Sequence, residues 1–134
     1  AVHLRINPAS QEGVPYFAFY DKHFQDLDVG LNIDAQENRT ITFIFKNETP
    51  ATKLRLEWDQ DIAGSYPEAN HVTVDLTPNS SEYKMFTFNL SDVSTWTGTI
   101  KKFRLVWPDY LSGRGDFYID YFRIWDDESV INGL

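Results

Sequence analysis

No cysteine occurs among the 134 residues, which excludes a disulfide framework and a thiolate metal site and leaves folding to the core. Basic residues are scarce as well. Twelve Lys and Arg stand against twenty Asp and Glu, a formal net charge of -8, which argues against nucleic acid or an anionic membrane as partner, because both are recruited by a basic field. The same balance disfavours acidic polysaccharides. No apolar run approaches the length of a membrane span. Residues 1–7 lack a starting Met, a basic segment and an apolar segment, so the chain reads as a mature or excised module of something longer. A helical stripe of 3.6-residue period is also missing beyond a turn or two.

Aromatic residues are abundant: four Trp, seven Tyr and ten Phe, 16% of the chain. Most of them recur with the two-residue period of strands and so belong to a core. A surplus of Tyr and Trp falls in loops, where rings are available for stacking. At this length residues 1–134 form a single domain that buries roughly two-thirds of its unfolded surface.

Alternation with turn residues between the runs predicts about nine strands. They are His3 to Asn7, Tyr16 to Tyr20, a run through Val29, Leu31 and Ile33, Thr40 to Lys46, Lys53 to Asp59, His71 to Leu76, Tyr83 to Leu90, Ile100 to Trp107, and Asp116 to Trp125. In the fourth, Ile41, Phe43 and Phe45 share a face; in the fifth, Leu54, Leu56 and Trp58 share one and Arg55, Glu57 and Asp59 the other. Between Gln60 and Asn70 lies the longest aperiodic stretch, with Gly64, Tyr66 and Pro67, a surface loop of the length that carries function. The expected fold is all-β, an antiparallel sandwich or barrel.

One progression is distinctive: Trp96, Gly98 and Ile100, then Phe103, Arg104 and Leu105, then Gly115, and finally Ile119, Asp120, Tyr121, Phe122, Arg123 and Ile124. It resembles the closing strands of carbohydrate-binding modules with the galactose-binding-like jelly-roll fold, found appended to secreted polysaccharide-degrading enzymes. Lys46, Asn47 and Thr49, followed by Leu54, Leu56 and Trp58, resemble a second element of such modules, and Tyr83 to Leu90 a third. Together these cover roughly residues 40 to 125. The chain departs from the pattern after Leu105, where Val106, Trp107, Pro108, Asp109 and Tyr110 replace the Asp-Pro continuation of many relatives. The resemblance implies a jelly-roll β-sandwich. It also implies a structural calcium, with Asp120 at the position of the acidic residue in the final-strand motif and Arg104 or Arg123 as the alternative partner of that carboxylate.

Sugar binding combines rings that stack on the C–H face of a pyranose with planar polar groups that bond its hydroxyls. Trp107, Asp109 and Tyr110 gather such groups at one strand exit. Trp58 and Asp59 do so at another, with Tyr66 in the loop beyond, and Arg104 supplies a planar donor. Trp58 and Trp107 also continue the apolar faces of their strands, so both equally fit a core. If the loops do not form the platform, the polar sheet face carrying Arg55, Glu57 and Arg104 is the other place for it.

Competing constellations are weaker. Glu57, Asp59 and Asp61 could set two carboxylates on one surface, as glycoside hydrolysis requires, but a solvated strand face accounts for them equally. His3, His23 and His71 have no catalytic or metal spacing. Asp26, Asp28, Asn32 and Asp34 gather oxygen ligands without the EF-hand spacing. Arg114, Gly115 and Asp116 spell an integrin-type tripeptide, although Gly and Asp also suit a hairpin turn.

The sequence therefore reads as a monomeric, extracellular or cell-surface module, without catalysis of its own. It would bind a neutral or weakly charged, β-glucan-like polysaccharide and hold a covalently linked catalytic module on its substrate. A small polysaccharide hydrolase or lyase using Glu57, Asp59 or Asp120, and a structural or adhesive protein-binding domain, are the alternatives.

Overall fold

The computed structural model describes residues 4–6, 16–19, 31–109 and 115–125, and the side chains of all of these except 4–6, 17 and 19. Ten strands run through them: β1 (Leu4–Ile6), β2 (Tyr16–Phe19), β3 (Ile33–Asp34), β4 (Thr40–Asn47), β5 (Lys53–Asp59), β6 (His71–Asp75), β7 (Tyr83–Asn89), β8 (Thr99–Ile100), β9 (Lys102–Val106) and β10 (Phe117–Trp125). No helix occurs among the described residues. One sheet has the order β1-β10-β4-β7, a second β2-β9-β5-β6, and β3 with β8 makes a two-stranded ribbon. Every pairing is antiparallel.

The two-residue alternation decides which face of each strand is buried. Ile41, Phe43 and Phe45 of β4 and Leu54, Leu56 and Trp58 of β5 are all core, as are Phe103 and Leu105 of β9. These inner faces meet. Phe103 lies 5.7 Å from Phe122 of β10, and Trp107, just past β9, meets Phe117 edge-on at 5.1 Å. The two four-stranded sheets thus share one hydrophobic cluster, an arrangement compatible with a sandwich. Each fully buried Leu or Phe contributes about 1.5 to 3 kcal/mol against the entropy of ordering the chain.

Strand β10 crowds apolar residues on both faces because it contains a bulge. Ile119 pairs with Phe45, but Tyr121 pairs with Ile44, so Asp120 is an inserted residue. The insertion resets the phase: Phe117 and Ile119 are buried before it, whereas Phe122 and Ile124 pack on the core after it. Tyr121 and Arg123 are exposed in consequence.

Two expected strands differ. The run from Ile100 to Trp107 is broken at Lys101, because the chain changes partners there: β8 pairs with β3, and β9 with β2 and β5. The run through Val29, Leu31 and Ile33 yields only β3 in the described residues, since Asn32 takes a left-handed φ of 55° that no strand accommodates; Val29 lies outside them.

The turn after β4 is held by Asn47. Its Nδ2 donates to the carbonyls of Ala51 and Thr77 at 2.9 and 3.0 Å, and its Oδ1 accepts from Thr49 N and Oγ1 at 3.2 and 2.5 Å. A buried amide with all these bonds made is a clamp. The Lys46, Asn47, Thr49 element is therefore structural.

Candidate functional site

The outer face of the second sheet is where charged residues converge. In β5 the inward Leu54, Leu56 and Trp58 force Arg55, Glu57 and Asp59 outward, and in β9 Phe103 and Leu105 do the same for Lys102 and Arg104. Register sets Glu57 opposite Arg104 and Asp59 opposite Lys102, while Ala18 of β2 pairs with Arg104 and Tyr16 with Val106. Arg104 Nε donates to Glu57 Oε1 at 2.6 Å. Arg55 Nε lies 2.6 Å from the other Glu57 oxygen, in ion contact but off the axis of a hydrogen bond. Lys102 Nζ stands 3.6 Å from Asp59 Oδ2.

The loop between Asp59 and His71 folds over this face. Gln60 Nε2 donates to the carbonyls of Thr95 and Thr97 at 3.0 and 2.9 Å, and Gln60 Oε1 accepts from Asn70 at 3.1 Å. Lys102 Nζ donates to Gly64 O at 2.6 Å. Tyr66 thereby comes to rest with its ring centre 4.5 Å from Lys102 Nζ and 4.2 Å from the Arg104 guanidinium carbon. The Tyr16 ring centre also lies 5.4 Å from the Arg104 guanidinium carbon. Cation–π attraction and the Glu57 contact together fix the guanidinium. A polar-lined open pocket of about 380 Å³ results, bounded by Tyr16, Ser65, Tyr66, Lys102 and Arg104 among others. Farther along the same face Arg55 Nη2 reaches Glu68 at 3.0 Å, and that contact holds the Glu68 carboxyl below its ordinary range.

Of the residues chosen from sequence for sugar contact, Tyr66 and Arg104 meet in this pocket, with Asp59 paired to Lys102. Trp58 and Trp107 need correction: both are 0% exposed and present no ring face to a ligand. Trp58 packs edge-on against Trp96 at 5.1 Å and donates from Nε1 to Thr95 O at 3.1 Å. Their apolar strand faces, already visible in the alternation, place them in the core. Asp109 is a tie between strand ends, its oxygens accepting from Thr52 N at 3.0 Å, Lys53 N at 3.2 Å and the Thr52 hydroxyl. Burial would raise its pKa, but these hydrogen bonds outweigh it and hold the carboxyl below the ordinary 3.8. Tyr110 lies outside the described residues.

Tyr16 was not singled out from sequence. Its alternation opposite Phe17 and Phe19 points it away from the core, but only the pairing of β2 with β9 sets it beside Arg104. The outer face of the other sheet also carries rings that were not singled out. There Lys46 Nζ lies over Tyr118 at 4.3 Å and Tyr83 at 5.0 Å, and Arg123 over Trp125 at 4.9 Å.

Of the carboxylates proposed for hydrolysis, Asp120 is separated from the other two. Glu57 and Asp59 share the outer face of the second sheet, whereas Asp120 belongs to β10 of the first. Among the described residues no three His, Cys, Asp or Glu side chains gather as a metal site. His71 Nδ1 lies 2.7 Å from Glu68 O; His3 and His23 are outside the described residues, as are Asp26, Asp28 and Arg114. Asp116 of the integrin-type tripeptide is only 9% exposed.

A second cavity, about 360 Å³, opens between the sheets beside Leu31, Phe103, Phe122 and Ile124. Among the described residues its polar lining is Asn32 and Asn38, too little to orient a hydroxylated ligand. Comparison of the chain with protein-family models, with curated proteins and with solved structures finds no match.

Proposed function

We propose that this chain is a non-catalytic polysaccharide-binding module, a jelly-roll sandwich of the galactose-binding-like type, whose site is the outer face of β2, β9 and β5 beneath the Tyr66 loop. The observation that carries the reading is the Arg104 guanidinium in contact with both Tyr16 and Tyr66 in an open pocket. An exposed ring beside a fixed planar donor is the pairing a pyranose needs, the ring for its C–H face and the guanidinium for its hydroxyls. At about 380 Å³ the pocket is of small-molecule size. The hydrolase alternative has less support, because Glu57 is engaged by two arginines and Asp120 lies on the other sheet.

The module would act outside the cell, holding a linked catalytic domain at its substrate and raising the effective substrate concentration. A structural calcium at Asp120 belongs to the same proposal. If only the folded chain binds it, a chelator lowers the melting temperature, and Asp120→Asn removes that sensitivity. Affinity electrophoresis through a panel of polysaccharide gels tests the binding reading: retardation in at least one gel, diminished in Arg104→Ala, is the expected result. Mobility unchanged in every gel defeats it.

A further inference from the structure

We infer that the sugar residue seated between Tyr16 and Arg104 carries an anionic substituent, a carboxylate or a sulfate ester, although the chain as a whole is acidic. This rests on the polysaccharide reading above and names the chemistry its pocket selects. Among the described residues the charged side chains lining the pocket are Lys102 and Arg104, with no Asp or Glu. Glu57 sits beneath its partner, its side chain 8% exposed against 29% for Arg104, while Lys102 and Asp59 are both buried.

The pairing leaves Arg104 only partly neutralised. Arg55 and Arg104 share the single charge of Glu57, each at 2.6 Å, and Lys102 is matched by Asp59 at 3.6 Å. Arg104 therefore has only a share of one carboxylate. Glu68, the further partner of Arg55, is 86% exposed, so water and salt screen its charge. Asp61, the next acid along the chain, turns its Oδ1 to Ala63 N at 3.1 Å and does not line the pocket.

Local charge outweighs the net charge here for a reason of distance. A charge more than a Debye length away, about 8 Å at physiological salt, acts only through screening solvent, whereas Arg104 acts at contact. Its guanidinium spends Nε on Glu57, and a guanidinium has five donors in a fork that matches a carboxylate or sulfate. A neutral hydroxyl receives no comparable charge-assisted pair.

The test compares chains that differ only in charge. Polygalacturonate, polymannuronate and a glucuronate polymer are each run in affinity gels beside the carboxyl-reduced counterpart, and a sulfated galactan beside its desulfated form. Expected is retardation by at least one acidic chain that is roughly tenfold stronger than by its neutral partner, as for one charge-assisted pair. The preference fades as salt rises from about 0.05 M to about 0.5 M. Which pair responds tells carboxylate from sulfate. Arg104→Gln abolishes the preference and Arg104→Lys keeps part of it, while the comparison on the parent chain needs no variant to fold. Neutral chains bound as tightly as acidic ones overturn this inference and leave the module reading standing; retardation by no chain, acidic or neutral, overturns both.

Discussion

The Arg104 guanidinium carbon stands 4.2 Å from the centre of the Tyr66 ring, joining a strand to the loop that lies over it. The same guanidinium is bonded to Glu57 on the neighbouring strand. Contacts from two elements leave it little rotameric freedom, so little is lost when a ligand binds. Lys102 reinforces this by tying Gly64 of the loop to β9.

Tyr16 is the exposed ring of the pocket, so Tyr16→Ala should weaken polysaccharide binding by about 2 kcal/mol, roughly thirtyfold. The melting temperature should stay near that of the parent, because this side chain is not part of the core cluster. Titration calorimetry with a calorimetric melt checks both halves. Parent-like binding by this variant would place the stacking ring elsewhere.

The core tryptophans should behave in the opposite way. Trp58→Ala and Trp107→Ala each remove a fully buried ring and should cost about 3 to 5 kcal/mol of folding free energy. Trp107→Phe should cost less than Trp107→Ala, because it keeps a ring against Phe117 and the Trp107 indole N–H has no hydrogen-bond partner among the described residues. Urea unfolding measures these differences.

How far the sequence reveals this molecule can be argued from single residues. The bounds of β4, β5, β6 and β7 follow within a residue from alternation, since a half-buried strand must alternate. The Asp120 bulge does not show, because a one-residue insertion looks the same as a strand with two apolar faces. Tyr66 was visible as a ring without a core explanation. Its contact with Arg104 was not, because that depends on Lys102 and Gln60 folding the loop back. Tyr16 needed the β2 to β9 register, a pairing between distant segments that no local pattern encodes.

Gly115 tests the packing between the turn after β4 and the start of β10. Its φ is 122°, and a Cβ built there falls 1.8 Å from the Glu48 carbonyl oxygen. Both the conformation and the space demand glycine. Gly115→Ala should destabilise the chain by about 3 kcal/mol, read as a lowered urea midpoint. A loss below about 0.5 kcal/mol would mean that this turn shifts freely.

Asp109 separates a structural tie from a sugar contact, and it does so through pH. Its carboxyl is held below the ordinary 3.8 because the hydrogen bonds from Thr52 and Lys53 outweigh the opposing effect of burial. For a carboxylate with a lowered folded pKa, the unfolded state binds the proton more readily, so the stabilisation is complete well above 3.8 and disappears as pH falls through the folded value. Asp109→Asn should therefore cost about 1 kcal/mol at neutral pH, a figure discounted for the exposure of the group. The difference from the parent should shrink as pH falls below the ordinary 3.8 and through the folded value. Polysaccharide binding by the folded variant should match the parent, since this carboxylate faces Thr52 and Lys53 rather than the pocket. Urea unfolding at several pH values, paired with affinity electrophoresis, decides it: a stability difference that does not vary with pH refutes the charge argument, and weakened binding returns Asp109 to the ligand site.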